Sequence, residues 1–242
     1  MTIRLGVLTP SSNTALEPLT YRIIAALPEV TAHFARFPVT EIALSPAALA
    51  QFDDSRILAA AVLLADAKVD VICWSGTAAG WLGFAADVEL CRRIETATGI
   101  PATTSVLALN EALTMAGCSA FGLVTPYTAE VQQRILDHYA DGGFRCLSER
   151  HLGLHMNFDF ASVPAGDLAI LSKAVASEIS LRPAALVSFC TNLWSAHLAP
   201  EIEAATGLPF YDTVSTVIWK ALRMVGIDPR RITGWGSLFR LM

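Results

Sequence analysis

Four short polar turns carry the residue types in this chain that can do chemistry: Thr9-Pro10-Ser11-Ser12-Asn13-Thr14, Ser75-Gly76-Thr77, Thr125-Pro126-Tyr127-Thr128 and Cys190-Thr191-Asn192. Each follows a short apolar run. In open parallel sheets, ligands sit beyond the carboxyl ends of strands, where loops expose backbone N–H groups and helix N-termini. Hydroxyls, amides and backbone donors gathered there suit carboxylate or enediolate oxygens, as a neutral oxyanion hole. Ser, Thr and Asn also cap helices, which accounts for any one turn taken alone; four in matching places favour a site. Cys190 is the thiol at such a turn, and a helix expected to follow it would lower its pKa. Cys91, Cys118 and Cys146 are expected as packed, inert thiols, and Cys73, three residues back from a loop, as core.

The elements that must position these turns come in two sets. Gly6-Val7-Leu8-Thr9-Pro10 returns as Gly122-Leu123-Val124-Thr125-Pro126, and Ala97-Thr98-Gly99-Ile100-Pro101 returns as Ala205-Thr206-Gly207-Leu208-Pro209. Between them the runs 71–77 and 186–192 place Gly76-Thr77 opposite Cys190-Thr191. Two matches in one order point to duplication, hence to a two-sided cleft with a thiol on one side and Gly76 leaving room on the other. Apolar runs alternating with 3.6-residue periodicity indicate α/β architecture: two pseudo-symmetric halves, each a parallel sheet flanked by helices, with the site between them. Strands are expected at about 3–9, 31–37, 69–75, 119–125, 143–148 and 184–190, with short ones near 101 and 209. Helices are expected from Thr14, whose spacing to Glu17 fits a capping box, and at about 46–66, 84–98, 105–116, 128–141, 166–181, 197–206 and 213–225. The first half spans 1–105, completed by 213–242, and the second spans 106–212.

Composition narrows the classes. With 242 residues and 53% hydrophobic content the chain can fill a sizeable core. No apolar stretch reaches the roughly 18 residues of a spanning helix, and no export signal is visible, so a cytoplasmic location and no membrane partner are expected. The net charge of −5 without a basic cluster argues against nucleic acid. Five scattered cysteines without a Cys-x-x-Cys pair fit neither a disulfide scaffold nor a zinc ribbon. His151 and His155 have ligand spacing but no visible third ligand, so no metal site is expected. Nucleotide-binding and nucleophile-elbow fingerprints are lacking. Trp81, Phe84, Trp194 and Trp219 read as packing residues. Homo-oligomerisation is left open.

Together the four turns and a terminal Gly234-Trp235-Gly236-Ser237-Leu238-Phe239 resemble the aspartate/glutamate racemase superfamily, in the branch of maleate isomerases and arylmalonate decarboxylases. The resemblance implies a site between two α/β halves, no metal or organic cofactor, and a small carboxylate substrate. By matching motif position it implies that Asn13, Tyr127 and Asn157 bind carboxylates, with Ser12, Thr77, Thr191 and Asn192 beside them. Two-cysteine members place one thiol on each side of the substrate; here the first is Gly76. Arylmalonate decarboxylases resemble the chain at that place, with Gly first and Cys second. On that pattern Cys190 protonates an enediolate from one face, while Thr77, Tyr127 and backbone N–H groups around Thr191 cradle it. The Pro10–Thr14 opening and Asn157 look more like maleate isomerases. Three expectations follow: a decarboxylase-type lyase, held foremost; a maleate cis-trans isomerase; and a carboxylate-binding protein without catalysis.

Overall fold

The structure, a computed structural model, describes residues 2–242. Strands β1 (Ile3–Pro10), β2 (Val30–Phe37), β3 (Val71–Trp74) and β4 (Ala102–Thr104) form one parallel sheet in the order β2-β1-β3-β4. Strands β5 (Ala120–Thr125), β6 (Arg145–His151), β7 (Ala184–Ser188) and β8 (Phe210–Asp212) form a second in the order β6-β5-β7-β8. The two orders are the same topology. Helices α1 (Leu16–Ile24), α2 (Pro46–Leu49), α3 (Asp54–Asp66), α4 (Ala79–Leu82), α5 (Phe84–Thr98) and α6 (Ser105–Met115) accompany the first sheet in sequence. Helices α7 (Ala129–Asp141), α8 (Asn157–Phe160), α9 (Ala165–Ser177), α10 (Ala199–Thr206) and α11 (Thr213–Met224) accompany the second. Among the described residues, no helix is long and apolar enough to cross a membrane.

The internal repeat reappears bond by bond. Gly6 pairs with Ile72 and Gly122 with Leu186, the same register in both sheets. A Cβ on Gly6 would lie 2.8 Å from Val69, and one on Gly122 2.4 Å from Val175, so both glycines admit close packing against the sheet. Gly99 (φ +70°) and Gly207 (φ +68°) end α5 and α10 in the left-handed conformation that glycine adopts without steric cost. In each half the Thr before that glycine bonds a carbonyl four residues back, Thr98 to Ile94 and Thr206 to Ile202, both at 2.7 Å. The proline two residues beyond the glycine immediately precedes the next strand: Pro101 and Pro209 carbonyls accept from Ile72 (2.9 Å) and Leu186 (2.8 Å).

Two helix expectations need correction. The 46–66 stretch is broken: α2 passes into a 3-10 turn (Ala50–Phe52), and Asp53 then caps α3 by accepting from the Ser55 N–H at 2.9 Å. Gln51 leaves the helical pattern to hold the Thr40 N–H (2.7 Å) and Glu41 carbonyl (3.1 Å), which fastens the 38–53 segment. Nor do Thr14 and Glu17 form a capping box. Asn13 Oδ1 accepts from Ala15 (3.1 Å) and Leu16 (2.9 Å), while Glu17 turns outward to Arg36 (2.7 Å).

A charge the periodicity did not flag lies inside. Asp87, on α5, is 3% exposed, and burial raises its carboxyl from 3.8 to about 7, the Thr104 hydroxyl opposing the shift. Between these values the folded protein holds a proton the unfolded chain has lost, so this group's contribution to stability falls as pH rises from about 4 to about 7. Asp87→Asn is therefore expected to gain on the wild type by about 3 kcal/mol between pH 5 and pH 8. Urea unfolding of both proteins at the two pH values reads this difference, and an unchanged gap would show that Asp87 is ionised in the fold.

Candidate active site

The four turns meet where the carboxyl ends of the two sheets face each other. A small cavity of about 20 Å³ lies between the halves, with Pro10, Trp74, Gly76, Thr77, Tyr127, Asn157, Cys190 and Thr191 in its wall. That volume holds about one water molecule. Val39, Ile42 and Phe52, from the segment after β2, close it with Ala78 and Trp81. That segment is tied to the opposite half: Ile42 N–H donates to the His155 carbonyl (2.8 Å) and Asn157 N–H to the Thr40 carbonyl (2.9 Å).

Thr77 and Tyr127 come from opposite halves and meet through their hydroxyls at 2.7 Å. Tyr127 is 2% exposed, and its ring is packed edge-on against Trp81 (5.4 Å) and Phe160 (5.6 Å), which fixes the hydroxyl in the cavity wall. Trp81, read from sequence as packing, thus lines the cavity as well, and its Nε1 is buried without a partner. Phe84, Trp194 and Trp219 are not in the cavity wall.

Cys190 stands two residues past the end of β7 and is 2% exposed. Burial pushes its thiol up to about 12, with Asp212 adding to the rise; the Tyr127 hydroxyl and Asn192 N–H, which favour thiolate, are outweighed. The expected helix dipole is missing. Residues 191–195 form an irregular turn followed by a 3-10 turn (Ala196–Leu198), and α10 begins only at Ala199, too far along the chain to stabilise a thiolate. At neutral pH the group facing the cavity is therefore a protonated thiol, able to give a proton and poorly suited to attack as an anion.

The asparagines serve the walls more than the cavity. Asn13 Nδ2 donates to the Thr191 carbonyl (3.1 Å) and hydroxyl (3.3 Å), while its oxygen caps α1. Asn192 crosses the cleft the other way. Its oxygen accepts from Thr14 (2.9 Å) and Ala15 (3.1 Å), and its nitrogen donates to the Asn157 carbonyl (2.5 Å). Asn157 Nδ2 donates to Ser12 Oγ (2.7 Å), which in turn donates to the Val39 carbonyl (2.6 Å). Of these, Asn157 alone reaches the cavity wall; Ser12, Asn13 and Asn192 stand behind it. Thr191 Oγ1 donates to the Ser75 carbonyl (3.2 Å), so the two strand-end turns are bonded directly.

Gly76 differs from expectation in its surroundings. A Cβ built there would lie 2.1 Å from Cζ2 of Trp74 and 2.4 Å from its Cη2, inside any real contact distance. The room is filled by an indole. Sequence reading missed Trp74 because it ends a buried strand, where a large apolar residue is ordinary. Asp212 was missed for a similar reason: it reads as a helix cap, which it is, accepting from Val214 (2.8 Å) and Ser215 (3.2 Å). It also accepts from Ser195 (2.5 Å) within the Cys190 neighbourhood, and burial raises its carboxyl to about 6. His151 lies on β6 and pairs with Glu149 (3.0 Å), so its spacing to His155 is not that of a helix face. Among the described residues, no three His, Cys, Asp or Glu side chains are grouped to hold a metal ion.

Two duplicated parallel sheets with a single buried thiol at their shared carboxyl edge define the class: an enzyme of the aspartate/glutamate racemase superfamily, built on the maleate isomerase and arylmalonate decarboxylase fold. The chain belongs to the arylmalonate decarboxylase family, whose sequence pattern matches residues 21–239. It is 26% identical over 249 aligned positions to a maleate isomerase from Pseudomonas putida, covering 97% of this chain and 96% of that one. It is 27% identical over 157 positions to an arylmalonate decarboxylase from Bordetella bronchiseptica, covering 65% of each. A crystal structure of a Pseudomonas putida maleate isomerase variant with maleate superposes with a TM-score of 0.90 at 23% identity, over 100% of this chain and 98% of the other.

Proposed function

We propose that the enzyme is a malonate-type decarboxylase in which Cys190 is the single proton donor. One observation carries the reading: the buried Cys190 thiol borders the cavity from one half, while the matching place in the other half holds Gly76 and no acid or base. In such a reaction the bond from the α-carbon to one carboxylate breaks, CO2 leaves, and the electron pair passes into the remaining carboxylate as an enediolate. The Thr77 and Tyr127 hydroxyls, 2.7 Å apart, supply neutral donors to its oxygens, helped by backbone N–H groups around Thr191. The Cys190 Sγ–H proton then goes to the α-carbon, and the thiolate takes a replacement from water. No second base is needed, which fits a one-thiol site. Asn157 would contact the substrate, whereas Ser12, Asn13 and Asn192 would hold the walls. A disubstituted carboxylate needs several times the present 20 Å³, so the 38–53 segment with Val39, Ile42 and Phe52 must move aside for entry.

The isomerase reading is favoured by the near full-length similarity to a maleate isomerase and by Asn13 and Asn157. Proton NMR in D2O separates the two. Wild-type enzyme incubated with α-substituted malonates is expected to release CO2 and to yield a monoacid carrying deuterium at the α-carbon. Conversion of maleate to fumarate, with every malonate left intact, would replace this reading by the isomerase. Dicarboxylates that raise the melting temperature without any turnover would replace both by a binding function.

A further inference from the structure

The register of the two sheets places Trp74 and Ser188 at one and the same position of the repeat. Trp74 pairs with Leu8 and Thr104, and Ser188 pairs with Val124 and Asp212. Two residues further on, the same register brings Gly76 on one side and Cys190 on the other. Residues two apart on an extended chain point to one face, so in each half the strand-end side chain and the cleft side chain compete for the same space. In the Cys190 half the strand-end residue is small. Ser188 turns its hydroxyl to Ser195 at 2.7 Å and leaves the thiol its place. In the other half the strand-end residue is the largest there is, and the cleft residue has no side chain. The Trp74 indole is 1% exposed, is held by the Phe37 ring at 5.0 Å, and covers the position a Gly76 Cβ would take. Gly76 is not required by its backbone, which lies outside the left-handed region where glycine is favoured. It is required by the tryptophan.

We propose that Trp74 is the specificity-determining residue of this site: its indole takes the volume of a second cleft side chain and walls off the face opposite Cys190, so that protons reach the substrate carbon from the thiol side alone. The stereochemical half of this statement rests on the decarboxylase reading; the steric half does not. An enediolate is planar and can be protonated from either face. With Trp74 against it, water on the far side is excluded; with a smaller residue there, solvent can deliver the proton. Trp74 itself transfers nothing.

A double-mutant cycle tests the pair. Gly76→Ala is expected to lower the melting temperature by about 5 °C in the wild-type background, because a methyl is forced into a filled space, and by about 1 °C or less beside Trp74→Leu. Trp74→Phe serves in place of Trp74→Leu if the latter does not fold. Equal losses in both backgrounds overturn the proposal whatever the reaction is. Product from an α-substituted malonate, analysed by chiral chromatography, is expected to be one enantiomer from wild type and a mixture from Trp74→Leu. A single enantiomer from the variant overturns the shielding role. If wild type decarboxylates no malonate while the stabilities are non-additive, the decarboxylase reading fails and the steric pair stands.

Discussion

Cys190→Ala is expected to lower turnover about 10³-fold. The thiol is the acid on the cavity wall suited to give its proton to carbon: burial raises the Tyr127 hydroxyl well above its ordinary value and the Thr77 alcohol is a weak acid, so both can hydrogen-bond the enediolate and keep their protons. Donors that stabilise the enediolate survive the substitution, so CO2 loss is not abolished at its source. What is lost is the trapping step, and the slow alternative is protonation by stray water. Because burial puts the thiol at about 12, its protonated form persists across the pH range in which the fold is expected to be studied. Turnover should therefore show no loss near pH 8 or 9 of the kind an ordinary thiol, ionising at 9.0, would impose. Steady-state kinetics of both proteins on the best malonate, with a pH profile for wild type, give the comparison. A variant as fast as wild type would remove Cys190 from the chemistry, and an activity that rises with thiol ionisation would indicate a nucleophile in place of an acid.

Asn192→Ala carries the largest expected cost in stability, about 4 kcal/mol, or about 10 °C in melting temperature. The side chain is fully buried and makes three bonds, two across the cleft to Thr14 and Ala15 and one within its own half to the Asn157 carbonyl. Truncation leaves two donors and an acceptor in a site water cannot readily reach, at about 1–3 kcal/mol each, partly relieved because Ala15 N–H keeps its bond to Asn13. Glu17→Ala is the matched control. The partner of Glu17 is the half-exposed Arg36, so removing it should cost less than about 1 kcal/mol. Equal losses for the two variants would mean that α1 is capped by the sequence-local pair after all. Thermal and urea unfolding decide between them, with far-UV circular dichroism confirming that each variant starts folded.

The pairing of these two variants shows where sequence reasoning ends. Thr14 and Glu17 have the right types and spacing for a cap, and local rules can see nothing else. The cap that forms comes from Asn13 and from Asn192, the latter 178 positions away from Thr14. The 46–66 stretch failed for a similar reason: its helical pattern yields at Gln51, whose amide finds better partners at Thr40 and Glu41 on a neighbouring turn. By contrast, the helix ends at Gly99 and Gly207 and the strands after Pro101 and Pro209 were legible because their causes lie within a few residues and recur in both halves.

For the site the division is the same. The four polar turns, the duplication that faces them across a cleft, and the single thiol at position 190 are properties of the residue order, since strand ends and loop chemistry are local and the repeat copies them. Tertiary structure alone decided that Thr77 meets Tyr127, that Asn13 and Asn192 bind walls and not the cavity, and that burial raises the Asp87 and Asp212 carboxyls above their ordinary value. It also decided that the space beside Gly76 belongs to Trp74. Each of these depends on which surfaces the crossovers bring together and how much water they exclude, quantities that no spacing along the chain contains.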